Sequence, residues 1–474
     1  MLTSTAAVVS MGFLFVETTL AARLISIDAF GSYVLVVAVV NFLMMAVDFG
    51  AKTAVTQLIA GDGGVGRIAL VNSAIFFRLA VIAGVSAVIW LPRELLSLLD
   101  PAGDVAPHLW QIPGMLLVAS LDQLLFGMLQ GCQAYRSLAT AQVLRSTLRL
   151  ALTAVVLGPL GLGVTGLLYS WTLSFGASAA YQYWMLPVPK RWVFERPVLG
   201  RLLRFGAPLQ FAGLLWFLFG RVQTLLLGAW AGPTSVAYFA VASRIPEALQ
   251  QVAESYMAVY FPRMTALLAA GRREHASGML NTSLRLVSFG AAAVALGGVL
   301  FSPWITELLF SARYAASAPA FAILMLTLHM VLVVNLLGYT LTSAGHPQRS
   351  LIVDSIRTGV LVLGSLLLIP LFGFMGAAYA RLISSYVGSP VVVRLVRRDY
   401  PGMVIPQCLR QTAVLLFCAG LGWWADALVG KLAVGALFLI LSATLGSLSS
   451  ADLALVLPLG QLRGASSTRT GEGY

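Results

Sequence analysis

The chain has 474 residues, of which 59% are hydrophobic and only 10% are Asp, Glu, Lys or Arg. A soluble domain carries about 25% charged residues, which it needs to cover its surface. The composition therefore excludes a soluble enzyme, a disordered chain and a secreted disulfide scaffold. It predicts an all-α polytopic membrane protein, because long continuous apolar runs are typical of spanning helices rather than of membrane barrels.

Fourteen apolar segments reach the length of about 20 residues that a spanning helix requires. The first begins at residue 2 without a basic region or a small-residue cleavage pattern, so we interpret it as a membrane helix rather than a removable signal. In chain order the predicted spans are 2–21, 29–51, 68–91, 109–131, 138–159, 162–186, 205–230, 235–261, 282–302, 319–342, 350–370, 374–393, 408–427 and 431–458.

The formal net charge is +12, and 27 of the 30 basic residues are arginine. Basic residues concentrate in the loops after the even-numbered spans and in the C-terminal tail, which by the positive-inside rule places both termini in the cytoplasm. Arg23, directly after the first span, is a contrary signal, and we follow the downstream bias. The charge is thus explained by membrane orientation, and we predict a multi-pass protein of the cytoplasmic (inner) membrane that binds no nucleic acid.

An internal repeat divides the first twelve spans into two sets of six. Three short matches recur in order and in the same places relative to the spans: Gly31-Ser-Tyr33 with Val236-Ala-Tyr238, Arg136-Ser-Leu138 with Arg349-Ser-Leu351, and Gly163-x-x-Gly166-x-x-Tyr169 with Gly373-x-x-Gly376-x-x-Tyr379. An even number of spans gives both copies the same topology, an arrangement that suits alternating access with a site between the copies.

We therefore predict five regions. They are an N-terminal six-helix bundle at 1–186, a cytoplasmic basic linker at 187–204, a C-terminal six-helix bundle at 205–396, accessory helices 13 and 14 at 397–459, and a cytoplasmic tail at 460–474.

Charged residues inside the spans are costly in a bilayer, at about 2.5–3.5 kcal/mol each on insertion scales, so they are expected to face one another or water. Arg145 and Arg149 are like charges one turn apart, which implies an anion or a carboxylate on another helix. Arg244, Glu247 and Glu254 form one polar stripe with Gln251 at helical spacing. We predict a cavity lined by Arg78, Arg145, Arg149, Arg221, Arg244 and Arg381, with Glu17, Asp48, Glu247 and Glu254 as candidates for ion coupling.

A structural role is the alternative for several of these residues. Arg244 and Glu247 are spaced to neutralise each other locally. Asp48 lies near a membrane surface, where a side chain can extend into water. Arg78 has Asp122 as a potential structural partner. Arginine remains protonated when desolvated and binds phosphate oxygens in pairs, so a cavity with several unpaired arginines suits a pyrophosphate rather than an organic cation.

Sequence features of an enzyme are missing. No P-loop motif is present, and the nearest Gly-Lys pair, Gly430-Lys431, is followed by Leu432. The longest predicted outer loops, 92–107 and 303–318, are short for an extramembrane catalytic centre. The three cysteines and four histidines lack metal-ligand spacing. We therefore predict a transporter with no catalytic residues, no metal and no cofactor.

Several stretches resemble the polysaccharide (O-antigen type) flippases of the multidrug/oligosaccharidyl-lipid/polysaccharide exporter superfamily. The resemblance covers nearly the whole chain in layout. It lies in the stretch from Ala22 to Tyr33, in Asp48-Phe-Gly50, in Arg204-Phe-Gly-Ala-Pro208, and in the eighth span from Tyr238 to Pro262. Relatives commonly carry an acidic residue where the seventh span has Arg221.

The resemblance implies two six-helix bundles forming a V, with spans 1, 2, 7 and 8 lining the cavity. It also implies that an undecaprenyl-pyrophosphate-linked oligosaccharide moves from the inner to the outer leaflet. As our own hypothesis, the lipid tail lies along spans 13 and 14, because the small residues from Ser442 to Ala451 permit close packing. We expect a monomer whose partners are this glycolipid, membrane lipids and, for polysaccharide assembly, a polymerase and glycosyltransferases. The alternatives are a multidrug/cation antiporter of the same superfamily, a membrane-embedded glycan polymerase or ligase, and a scaffolding subunit.

Overall fold

The computed structural model describes residues 2–61, 67–89, 106–188, 194–400, 402–425 and 427–445, and this part of the chain is helical, without strands. Two 3-10 helices, Ala106–Gln111 and Ala312–Ser317, accompany the α-helices. The α-helices are α1 Leu2–Leu24, α2 Ile27–Asp48, α3 Ala51–Gly61, α4 Arg67–Ile89, α5 Ile112–Gly131, α6 Tyr135–Leu157, α7 Gly163–Met185, α8 Arg196–Ala269, α9 Arg273–Leu300, α10 Ser302–Phe310, α11 Ala318–Ser343, α12 Pro347–Asp399, α13 Ile405–Trp423 and α14 Leu428–Thr444.

Two of these helices are too long for one crossing of the hydrocarbon core, which is about 30 Å thick. α8 has 74 residues and is interrupted at Gly232, where φ is 74°. α12 has 53 residues and is interrupted at Gly373, where φ is 55°. This left-handed backbone is accessible mainly to glycine, which explains the residue type at both breaks. Each long helix therefore contributes two arms, as the sequence predicts for spans 7 and 8 and for spans 11 and 12.

The repeated glycines have the same geometry in both copies. Gly163, the counterpart of Gly373, also has a positive φ of 54°. A methyl group at Gly166 would lie 1.9 Å from a methyl carbon of Val156, and one at Gly376 would lie 2.1 Å from the carbonyl oxygen of Leu368. Both hairpins thus turn at a left-handed glycine and close over a second glycine three residues later.

The spans agree with an all-α membrane protein. Among the described residues, nine helical segments are long and apolar enough to cross a bilayer, and two of them are the double helices α8 and α12. The arms of α8 and α12, together with the helices other than the short α3 and α10, are compatible with fourteen crossings. The predicted loop 303–318 is helical instead, because α10 and a 3-10 helix occupy it. Residues 90–105, 189–193 and 446–474 lie outside the described residues. They include most of the predicted loop 92–107, part of the predicted linker 187–204, the end of the predicted span 431–458 and the predicted tail.

The chain forms two compact units by internal contacts. Unit 1 contains residues 1–248, 306–320 and 358–380. A hydrophobic core of this unit lies between α3, α4 and α5, where Val55, Leu124 and Met128 are buried. In the same unit, α1 packs along α6 and α6 packs along α7.

Within unit 1, α2 runs antiparallel to the first arm of α8 along its whole length. The two helices approach closely at Gly31 because it has no side chain. A methyl group at this position would lie 1.9 Å from the Pro233 carbonyl oxygen. At the other end, the Gln210 amide donates to the Met45 carbonyl at 2.7 Å and accepts from the Gly50 amide at 2.8 Å. This pairing brings spans 2 and 7, one from each predicted repeat, into direct contact.

Unit 2 contains residues 249–305, 321–357 and 381–474, of which those after 445 are not described. Its core gathers side chains from the second arm of α8, from α9 and α11, and from the second arm of α12. Tyr260 is buried there, and its hydroxyl lies 2.8 Å from Thr340 Oγ1. Both units draw residues from the predicted C-terminal bundle at 205–396.

Candidate functional site

A buried ion pair in unit 1 joins α1 and α6. Arg149 Nη2 of α6 lies 3.2 Å from Glu17 Oε2 of α1 and 2.6 Å from the Tyr33 hydroxyl of α2. The Tyr33 hydroxyl lies 3.4 Å from Glu17 Oε1, so the three groups close a triangle. The Glu17 side chain is 2% exposed and that of Arg149 is 15% exposed. A charge buried to this extent requires a partner, and here each has one.

Arg244, on the second arm of α8, reaches the same region of α1. Its Nη2 donates to the Thr18 hydroxyl at 2.6 Å and to the Leu14 carbonyl at 3.0 Å. Glu247 and Glu17 attract Arg244 electrostatically, while Arg149 and Arg221 repel it. Arg244 therefore connects the second predicted repeat with the ion pair in the first.

Arg221, on the first arm of α8, is the last of the charged residues in this region. Its side chain is exposed, and no hydrogen bond or ion pair joins it to another described residue. We call the set Glu17, Tyr33, Arg149, Arg221, Arg244 and Glu247 the Arg149 cluster. It contains three guanidinium groups and two carboxylates, an excess of one positive charge when all are ionised. The Arg149 Nε atom is buried without a hydrogen-bond partner among the described residues, and is a donor still to be satisfied.

Arg145 and Arg78 lie in a separate network. Arg145 forms an ion pair with Asp122 of α5, which also accepts hydrogen bonds from Ser178 and Gln182 of α7. The Arg145 guanidinium lies 4.8 Å from the centre of the Phe175 ring.

Arg78 is fully buried and pairs with Asp48 of α2, rather than with the Asp122 considered from the sequence. Lys52 lies within electrostatic reach of both carboxylates. The acids of this network are thus occupied by local cations, which favours a structural role for Arg78, Arg145 and Asp48.

The remaining predicted residues belong to unit 2. Arg381 lies at the start of that unit's α12 segment and repels Arg357 electrostatically. Glu254 is exposed on the second arm of α8 and lies close enough to Tyr339 to influence it electrostatically. The structure therefore places four predicted charged residues of unit 1 within electrostatic reach of Arg244, namely Glu17, Arg149, Arg221 and Glu247. Arg381 and Glu254 lie in the other unit.

Two members of the site were missed at the sequence level. The sequence pattern identifies Tyr33 only as part of the repeat and gives no signal for Thr18. Tyr33 is the single phenol in the apolar run of α2, and a buried hydroxyl in such a run needs a partner. No group of three or more His, Cys, Asp or Glu suited to a metal ion occurs among the residues that the structure describes.

The comparisons with known proteins agree with this architecture. A family model described as "Polysaccharide biosynthesis protein" matches residues 20–319. An uncharacterised membrane protein of Methanocaldococcus jannaschii is 27% identical over 199 residues, which are 41% of this chain and 39% of that protein. The match thus spans about two fifths of the length of that relative.

Two solved structures share the fold. The lipid II flippase MurJ in an inward closed conformation superposes with a TM-score of 0.74 at 15% identity, over 94% of this chain and 98% of MurJ. An inward-facing MATE family multidrug resistance transporter of the MOP superfamily superposes with a TM-score of 0.67 at 18% identity, over 83% of this chain and 94% of that protein. At these identities the likeness concerns the fold.

Proposed function

The chain belongs to the polysaccharide biosynthesis protein family, and from that membership we propose that it is a flippase for a lipid-linked oligosaccharide. The substrate is an undecaprenyl-pyrophosphate-linked oligosaccharide, moved by alternating access from the inner to the outer leaflet of the cytoplasmic membrane for cell-surface polysaccharide. The observation that carries the proposal is the Arg149 cluster, in which the buried Glu17 carboxylate pairs with Arg149, and Arg244 and Arg221 from the two arms of α8 add further positive charge within electrostatic reach of one another.

The cluster suits a pyrophosphate because of its charge and its donors. Guanidinium groups bind phosphate oxygens through paired, charge-assisted hydrogen bonds. Arg221 is exposed and unpaired among the described residues, and Arg149 has a free Nε donor. An organic cation would meet an excess of positive charge at the same place. The observed charges therefore favour the glycolipid over the multidrug/cation alternative.

Glu17 is the strongest of the four candidate coupling carboxylates, since it is the direct partner of Arg149. In the proposed cycle, the pyrophosphate takes over the Arg149 donors from the ionised Glu17 carboxylate on the cytoplasmic side. After release of the substrate at the outer leaflet, Glu17 accepts a proton from that side, and the unloaded carrier returns and gives up the proton to the cytoplasm. An inward proton gradient would then bias transport toward the outer leaflet without an ATPase.

Other parts of the proposal rest on the sequence. They are cytoplasmic termini, a monomeric carrier, and cooperation with a polymerase and glycosyltransferases in the same membrane. The pairing of α2 with the first arm of α8 is the contact that we expect to open and close during the cycle.

The decisive experiment replaces Arg221 by glutamine. Because Arg221 is exposed and has no partner among the described residues, R221Q is expected to leave expression and thermal stability unchanged. Loss of one charge-assisted pair of hydrogen bonds, about 1.5–3 kcal/mol, predicts a decrease of about 10- to 100-fold in affinity for undecaprenyl pyrophosphate. Affinity is measured on the purified protein, and function by restoring surface polysaccharide in a strain that lacks its own flippase.

R201Q is the matched control, because Arg201 is an exposed arginine of the same helix outside the Arg149 cluster. We expect R201Q to bind and complement like the wild type. Full complementation and unchanged affinity in R221Q would refute the cavity assignment. Resistance of the host to cationic drugs, with no effect on surface polysaccharide, would favour the antiporter instead.

A further inference from the structure

A second basic site lies in unit 2, where α12 ends and α13 begins. Arg394, Arg397 and Arg398 line a cavity of about 530 Å³ together with the apolar side chains of Val393, Ile405 and Leu409. The volume is within the range of about 300–1,000 Å³ that is typical of small-ligand sites. We call this cavity the basic pocket.

The three arginines of the basic pocket share one helical face and are not neutralised. Residues three and four positions apart lie side by side on a helix, as Arg397 and Arg398 do relative to Arg394. All three are exposed, and none forms a hydrogen bond or ion pair with another described residue. The neighbouring Asp399 is occupied elsewhere, because its Oδ2 lies 2.9 Å from Arg349 Nη1. Among the residues that the structure describes, no carboxylate lines the pocket.

An apolar cleft continues inward from the basic pocket. The two cavities share Val393, Ile405 and Leu409 in their walls, and the cleft extends to Met330 and Leu337 of α11. Leu409 is 64% exposed at the junction. The cleft itself has a volume of about 50 Å³, so a ligand that fits both cavities has an anionic head for the arginines and a small apolar group at the entrance to the cleft.

The walls are held in place by a clamp from α9. The Asn281 side chain donates to the Gly402 carbonyl at 3.1 Å and accepts from the Val404 amide at 3.0 Å. These bonds fix the turn between α12 and α13, and Met403 within the turn is buried. The cavity is therefore preformed, which lowers the entropic cost of binding.

We propose that the basic pocket binds the phosphate head of an anionic membrane phospholipid, with the start of one acyl chain lying against the apolar wall at Leu409, at the entrance to the cleft. Basic pockets between membrane helices are suited to anionic headgroups, because each arginine near the surface adds attraction that is not provided by a zwitterionic lipid. The proposal is independent of the transported substrate, since it involves none of the residues in the Arg149 cluster.

The test measures lipid binding by the purified full-length protein in detergent, using native mass spectrometry with phosphatidylglycerol or phosphatidylcholine. We expect the wild type to retain phosphatidylglycerol preferentially. An arginine near the surface contributes about fivefold, so the variant R394Q/R397Q/R398Q should lose about 100-fold in phosphatidylglycerol affinity. L409Q should weaken both lipids, since it makes the entrance to the cleft polar.

The control R196Q/R201Q/R204Q removes the same charge from exposed positions of α8 that do not line the pocket. We expect it to bind phosphatidylglycerol within about threefold of the wild type, since none of the three arginines lines the pocket and exposed charge is screened by salt. Equal losses in both triple variants would overturn the site in favour of general surface attraction, and so would equal retention of the two lipids by the wild type.

A third probe separates the two sources of a lipid-borne phosphate. If undecaprenyl pyrophosphate displaces phosphatidylglycerol, and the pocket variant loses only the former, the pocket belongs to the transported substrate and the phospholipid assignment is wrong. R221Q should bind phosphatidylglycerol like the wild type. Failure of the flippase proposal would therefore appear in R221Q transport, and failure of the lipid proposal in the pocket variant.

Discussion

Replacement of Glu17 by glutamine tests whether the ion pair with Arg149 is as tightly coupled as its geometry indicates. The carboxylate is 2% exposed and lies 3.2 Å from Arg149 Nη2. Removal of one partner from a buried pair costs about 3–5 kcal/mol, because the other charge remains buried. Glutamine keeps an acceptor for Tyr33, so we expect E17Q to lose about 3 kcal/mol in the free energy of unfolding, at the lower end of that range.

The assay is reversible unfolding in mixed detergent micelles, carried out as a double-mutant cycle. The variant E17Q/R149Q removes both charges and should be more stable than the sum of the single effects by about 2 kcal/mol, as expected for directly coupled groups. The control is E254Q, which neutralises an exposed carboxylate on α8 and should change stability by less than about 0.5 kcal/mol. An E17Q protein as stable as the wild type, with additive effects in the cycle, would refute the coupling.

Two further predictions concern packing and charge in unit 1 and α12. G376A should destabilise the protein by about 1–3 kcal/mol, because its methyl group would overlap the Leu368 carbonyl, whereas G359A on the same helix meets open space and should be neutral or slightly stabilising. Thermal unfolding of both variants checks this, and equal midpoints would contradict it. D48N should destabilise by about 3–5 kcal/mol, because it leaves Arg78 fully buried without its partner, and R78M should restore much of the loss. A double variant no more stable than D48N would show that the pair is not the cause.

Much of the fold can be predicted from the sequence, because membrane helices are recognised by their length and hydropathy. The sequence also identifies the glycines of both hairpins, since a repeated Gly-x-x-Gly pattern between two spans indicates a turn that only glycine permits. It missed α3 and α10, which are too short to cross a membrane. α3 follows a left-handed turn at Phe49 and Gly50, where φ is 47° and 67°.

The candidate site was only partly predictable for a physical reason. The spacing of Arg145 and Arg149 required partners on other helices, and both partners are carboxylates, Asp122 and Glu17. Which acid meets which arginine depends on helix rotation and depth, and one sequence does not specify either. The pairing of Arg78 with Asp48 and the participation of Tyr33 emerged only from the packing of α2.

The carboxylate of Glu17 determines which anions can bind to Arg149 in the unloaded carrier. Since Arg149 already has a counter-ion, a small monovalent anion such as chloride gains little by entering and must displace a fixed competitor. A diphosphate diester brings two negative charges and several oxygens, and it therefore displaces Glu17 from Arg149. On the proposed function, we expect the unloaded carrier to be sealed against anion leak, and E17Q vesicles to pass chloride faster than vesicles with the wild-type protein.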